Sequence, residues 1–239
     1  MNMSPLSIEF LAAHSGLPGP RGNLELLDRF ANQATFEQVR ACLAILQDDT
    51  ANSPEEFVGM CGVLGYAVLH QNDLPLVFFH LEHYMSHSSW RIRETTAIAI
   101  QKLGFGRLDA LFGFMEKFAV GNPYEQRAVV AGLCEPRLLD RPDWNLRVLS
   151  LVGQITDSLD HDRSLTEGEV SLRKALGYGW SVVVAKTGEQ GKTIFEGLLQ
   201  RQGKHVCWIV RENLKKNRLI RLDEAWVKKL ATRLEPLSL

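Results

Sequence analysis

Two tryptophan–arginine pairs carry the strongest chemical suggestion in this chain. Trp90 precedes Arg93 by three positions, and Trp208 precedes Arg211 by three. Residues three apart lie on one side of a helix. A guanidinium beside an indole can hold a phosphate and stack on a base or another ring. Both pairs sit in copies of one phrase, SSWRIRETTAIAIQKLG from Ser88 to Gly104 and GKHVCWIVRENLKKNRL from Gly203 to Leu219. Glu94 matches Glu212, Ile92 matches Val210, and the offset is 118 throughout. Arg127 and Arg173 are candidate equivalents between the copies, which spaces the four arginines by 34, 46 and 38. The run Lys215-Lys216-Asn217-Arg218 adds cations suited to a nucleic-acid backbone. Such a run at a helix C-terminus is equally the solvated complement of the helix dipole.

Two further patterns invite chemistry. His80, His83 and His87 fall on one helical face with Glu82 beside them. Neutral imidazoles at that spacing can bind a transition metal. Three ligands on one helix cannot surround an ion, however, and no fourth stands out, so a partly packed face and no metal are expected. Trp180–Leu198, WSVVVAKTGEQGKTIFEGL, imitates a phosphate-binding loop. That motif needs glycine where this chain has Lys186. No nucleotide cofactor is expected. Val182–Ala185 is read as buried helix and Gly188–Gly191 as a turn between helices.

The elements that must position these residues read as helix almost throughout. Ile92, Thr96, Ala99 and Leu103 recur at helical spacing in the first copy, and Val210, Leu214 and Ile220 continue that face less cleanly in the second. Asn23, Thr35 and Ser53 stand where N-caps belong, with Pro54 and two acids following Ser53. Predicted helices are Leu6–His14, Leu24–Asn32, Phe36–Asp48, Ser53–His70, Leu74–His87, Ser88–Gly104, Arg107–Val120, Tyr124–Glu135 and Asp143–Asp157. After a polar linker at 158–166 come Thr166–Leu176, Trp180–Lys186, Gly191–Gln202, Val206–Asn217 and Leu222–Leu234. Gly59, Gly62 and Gly65 give one helix a face that a neighbour can approach closely.

An offset of 118 corresponds to about three units of roughly 39 residues, the size of a two-helix repeat. The Trp-x-Ile/Val-Arg-Glu opening resembles the second helix of a HEAT-type repeat, and WIVRENLKKNRL resembles the last repeat of bacterial HEAT-like proteins related to alkylpurine DNA glycosylases. The resemblance covers residues 53–234 and rests on the two copies. It implies an all-α right-handed superhelix of antiparallel helix pairs over 1–239, with residues 1–52 as divergent cap helices. It also implies a concave surface lined by Trp90, Arg93, Arg127, Arg173, Trp208, Arg211, Lys215 and Lys216. The family's arginine commonly pairs with an acid to hold the stack together, so a structural role stands beside the binding one. The family's Trp-Trp-Asp type signature is absent, and Arg141-Pro142-Asp143-Trp144 reads as a helix start. The expected function is therefore non-enzymatic binding, with DNA contacted through its backbone as the partner in a repair-related context. A glycosylase-like enzyme and a protein-binding scaffold are the alternatives.

Composition bounds these readings. Hydrophobic residues make up 45% and charged residues 23% of 239, with a net charge of −1. That is ordinary for a globular protein and unlike a uniformly basic nucleic-acid binder. The bases are segregated, because Arg201–Arg221 holds seven Lys and Arg against Glu212 alone. The cysteines at 42, 61, 134 and 207 show no CxxC spacing and read as buried thiols. The N-terminal stretch lacks a basic leader with an apolar core, and no apolar run reaches a membrane-spanning length. A cytoplasmic location without membrane contact is expected.

Overall fold

The structure is a computed structural model and describes residues 6–234. Thirteen α-helices and no strand occur among the described residues, so the chain is all-α. None of these helices is long and apolar enough to cross a membrane. The chain divides after Arg107 into two compact units. The first holds α1 (Ile8–Ala13), α2 (Leu24–Gln33), α3 (Phe36–Leu43), α4 (Pro54–Leu69), α5 (Leu74–Met85) and α6 (Trp90–Gly104). The second holds α7 (Leu108–Ala119), α8 (Pro123–Leu133), α9 (Pro142–Asp157), α10 (Glu167–Gly197), α11 (Lys204–Leu214), α12 (Asn217–Leu222) and α13 (Glu224–Leu234).

Local signals start most of these helices where the sequence places them. The side chains of Asn23, Thr35, Ser53, Asn122 and Thr166 each accept a backbone N–H of the first turn. Thr35 with Gln38, Asn122 with Glu125 and Thr166 with Glu169 complete reciprocal capping boxes. Several predicted boundaries are corrected, and α12 stands as a separate helix between the last two predicted ones. The third helix stops at Leu43 instead of reaching Asp48. The segments 166–176, 180–186 and 191–202 are not three helices but the single α10 and a closing 3-10 turn, kinked at Gly188 with φ 57° and ψ −129°. That conformation suits glycine, and the residues expected to form a turn continue as helix around it.

One helix organises each unit. In the first unit α4 packs against α1, α2, α3, α5 and α6, and every residue from Glu56 to Gly65 is buried. An element apolar on all sides belongs in a core. Its glycines set the approach distance. A Cβ on Gly59 would lie 2.6 Å from Leu46, one on Gly62 would lie 2.9 Å from the Leu43 backbone nitrogen, and one on Gly65 would lie 2.9 Å from Val39. In the second unit α10 packs against α8, α9, α11 and α12. Gly177 admits the Trp208 ring and Gly179 admits Val130 and Cys134, each within 3.0 Å of where a Cβ would stand. Polar pins complete the seams. Asn213 accepts from the Ser181 N–H at 2.8 Å and donates to the Leu176 and Ile209 carbonyls at 2.9 and 2.8 Å. The Trp180 indole N–H donates to Thr156 at 2.9 Å.

All four cysteines are free and buried. Burial pushes the Cys42 and Cys134 thiols up to about 12, and Cys61 well above the ordinary thiol value.

The close approach to α4 has a measurable sign. Alanine at Gly62 must displace backbone as well as the Leu43 side chain, an overpacking cost of about 1–3 kcal/mol against a propensity gain of about 1 kcal/mol. Gly113 on α7 has nothing within 4 Å of its Cβ position, so alanine there keeps only the gain. Denaturant unfolding should show Gly62→Ala destabilised and Gly113→Ala stabilised. A shift of both in one direction would remove the steric argument.

Candidate functional site

The two copies start their helices differently, and this separates their tryptophans. In the first copy Ser89 caps α6 and accepts the N–H groups of Arg91 and Ile92. Trp90 is therefore the first helical residue, 54% exposed at the open end. The position equivalent to Ser89 is Cys207, which cannot cap in this way. The second helix begins a turn earlier, at Lys204, with no cap from its own N-cap side chain. Asp160 and Asp162 from the preceding loop supply that role, accepting the Gly203 and Lys204 N–H groups at 2.7 Å each. Carboxylates at a helix N-terminus also complement its dipole. The segment expected to be a plain polar linker is thus a capping loop, and Trp208 lies half-buried within a continuous helix.

Arg93 and Trp90 do not form one surface. Arg93 is buried, and its guanidinium donates to the His87 and Ser88 carbonyls at 2.5 and 2.6 Å. The residue stacked on Trp90 is Arg91, 4.6 Å from the ring centroid. Arg91 also pairs with the buried Glu56 at 3.1 Å and donates to the Gly19 carbonyl at 2.7 Å. Glu56 holds the Ser89 hydroxyl as well, and accepts the Asn52 N–H at 2.8 Å. This ion pair joins α4, the start of α6 and the loop before α2. Arg91, two places before Arg93, is thus an acid-pairing arginine of the first copy. Spacing alone could not reveal this, because both residues fit a helix, both are buried, and Glu56 lies 35 positions before Arg91.

In the second unit the structure joins Arg173 to Trp208, with the guanidinium 4.5 Å from the ring centroid. Arg173 also contacts Nδ1 of His205 at 3.2 Å, while His205 Nε2 lies 2.8 Å from the Arg163 carbonyl. A guanidinium has only donors, so Nδ1 accepts and Nε2–H donates. Arg163 pairs in turn with Glu169 and, with the Thr166 cap, holds that carboxyl well below its usual range. A second pair of the same kind was not anticipated. Arg218 lies 4.4 Å from the Tyr178 ring centroid and donates to the Tyr178 hydroxyl at 2.7 Å. Tyr178 is 46% exposed, and Arg218 stood in the basic run without an assigned partner.

The other candidates are distributed between surface and frame. Arg127 is half-buried on α8. Arg211 donates to the Leu234 carbonyl at 3.2 Å, tying α11 to α13. Lys215 is exposed and paired with Glu212, and Lys216 precedes α12. Ile220 was expected on the buried face of the second copy, but α11 ends at Leu214 and Ile220 lies exposed on α12. Lys192 of the GEQGKT stretch pairs with Asp223 at 2.7 Å and Glu189 at 2.8 Å, joining α10 to the loop before α13.

The histidines form a ladder of rings on the first unit, and no metal-holding group of three His, Cys, Asp or Glu occurs among the described residues. Tyr66 stacks on His80 at 3.7 Å and contacts His70 at 4.5 Å, while Tyr84 meets His80 and His83 at 5.0 and 4.9 Å. Burial first, then the neighbouring His83 and His70, lower His80 to about 4 from its ordinary 6.5. A histidine lowered in the fold binds its proton more readily in the unfolded chain. Stability is then complete above pH 6.5 and falls as the pH drops toward 4, by roughly 2–3 kcal/mol. Urea unfolding at pH 7 and 4.5 should show this loss in the native sequence and a smaller one in His80→Phe. An unchanged loss in the variant would place the acid sensitivity elsewhere.

Comparison with protein-family models, with curated proteins and with solved structures finds no match to this chain in any of the three, so the functional reading rests on its own residues.

Proposed function

We propose that the chain is a non-enzymatic, HEAT-like helical repeat protein that binds nucleic acid through its second unit. The observation that carries this reading is the repetition of one device on α10. Arg173 on Trp208 and Arg218 on Tyr178 each present a planar cation backed by an aromatic ring. A guanidinium held in this way is preorganised for phosphate and loses little freedom on binding. Lys174 and Lys215 are exposed nearby in the chain. In this reading the 118-residue repetition is the trace of a solenoid, and the binding surface is its inner side.

The neutral net charge agrees with a small contact. Two of the seven bases between Arg201 and Arg221 are already neutralised, Arg201 by Asp157 at 2.7 Å and Lys215 by Glu212. Binding should therefore involve about two or three phosphates, giving a log–log salt slope of roughly −2 to −3 on duplex DNA. A second reading, a protein-binding scaffold, is favoured by the exposed apolar side chains of the first unit, above all Phe79 at 81%.

A titration of mixed-sequence duplex at two salt concentrations tests the proposal. Replacing Arg173 and Arg218 together by Ala should weaken binding and flatten the slope by about 1–2. No binding at low salt would leave the scaffold in front. Release of modified base on incubation with alkylated DNA would overturn the non-enzymatic part.

A further inference from the structure

We infer that the nucleic acid taken by the second unit is single-stranded, with unpaired bases stacked on the guanidinium planes of Arg173 and Arg218. The inference rests on the nucleic-acid reading above and specifies its substrate class. A phosphate is held by the N–H groups at the edge of a guanidinium, which lie in its plane, and leaves the face of that plane unused. Here both guanidinium carbons lie over aromatic rings, 4.5 and 4.4 Å from the centroids. A layered guanidinium offers its outer face to a base, since bases stack on arginine planes as they do on aromatic side chains. Duplex DNA keeps its base faces inside the stack and cannot use such a platform. Single strands can.

The anchoring of each pair supports a platform of fixed orientation. Trp208 is seated against Gly177, where a Cβ would come within 2.8 Å of the ring. Arg173 is oriented by His205, and His205 by the Arg163 carbonyl. Arg218 is oriented by its bond to the Tyr178 hydroxyl. Gly177 and Tyr178 are adjacent on α10, so the two platforms occupy neighbouring stripes of one helix. Lys174 lies one turn before Tyr178, where it can meet the backbone of a strand whose bases face the platforms.

The test uses the full chain and one labelled oligonucleotide of mixed sequence in three forms: a single strand, its annealed duplex, and an abasic strand of equal length and charge. Fluorescence anisotropy should show the single strand bound at least about tenfold tighter than either other form, as expected for one or two stacked bases. Exchanging Arg173 and Arg218 for lysine keeps both charges and removes both planes. This variant should lose the preference for the single strand over the abasic strand, with its thermal unfolding checked alongside. Equal affinity for the single strand and the abasic strand would overturn the inference and leave the nucleic-acid reading standing. Binding of none of the three would overturn both.

Discussion

How near a neighbour can come to one central helix governs both units. α4 and α10 each carry glycines where another helix crosses, and at those points the space left for a side chain is smaller than a methyl group needs. The gain is dispersion and apolar burial over helix surfaces that a larger residue would hold apart. The cost is a weaker helix, since glycine in a helix interior loses about 1 kcal/mol to alanine. The helices with the poorest local propensity are thus the ones most enclosed by others. Tertiary packing, and not propensity, holds them.

That constraint reaches the candidate site. Trp208 can lie against α10 only because Gly177 has no side chain, and only there does its ring meet Arg173. Around this contact a chain of polar pins runs from Trp208 through Arg173 and His205 to the loop that caps α11. In the first unit a buried ion pair does the comparable work. Glu56 and Arg91 must remain together, because a buried charge left alone costs about 3–5 kcal/mol. Their pairing fixes the start of α6, and so the place of Trp90.

What the sequence made legible follows the range of each interaction. Caps at Asn23, Thr35, Ser53 and Asn122 act within four residues and could be read directly. The glycine face of α4 was legible for the same reason, as a spacing within one helix. The start of α11 was not, because its capping carboxylates lie more than forty positions earlier. The kink at Gly188 resembled a turn because both use the same glycine conformation. Arg93 resembled a surface residue because periodicity marks a face without saying which way it points. The partnership of Arg218 with Tyr178 spans forty positions, and no local pattern encodes it.

The four buried thiols have a consequence for how the molecule's motions can be followed. Thiolate is the reactive form of cysteine, and burial holds Cys42, Cys61 and Cys134 almost wholly protonated near neutral pH. Alkylating reagents are therefore shut out by chemistry as well as by sterics while the helices stay closed. Cys42 and Cys61 belong to one unit, and Cys134 and Cys207 to the other. The chain thus carries its own pair of clocks, and the order in which its cysteines become modified records which unit opens first.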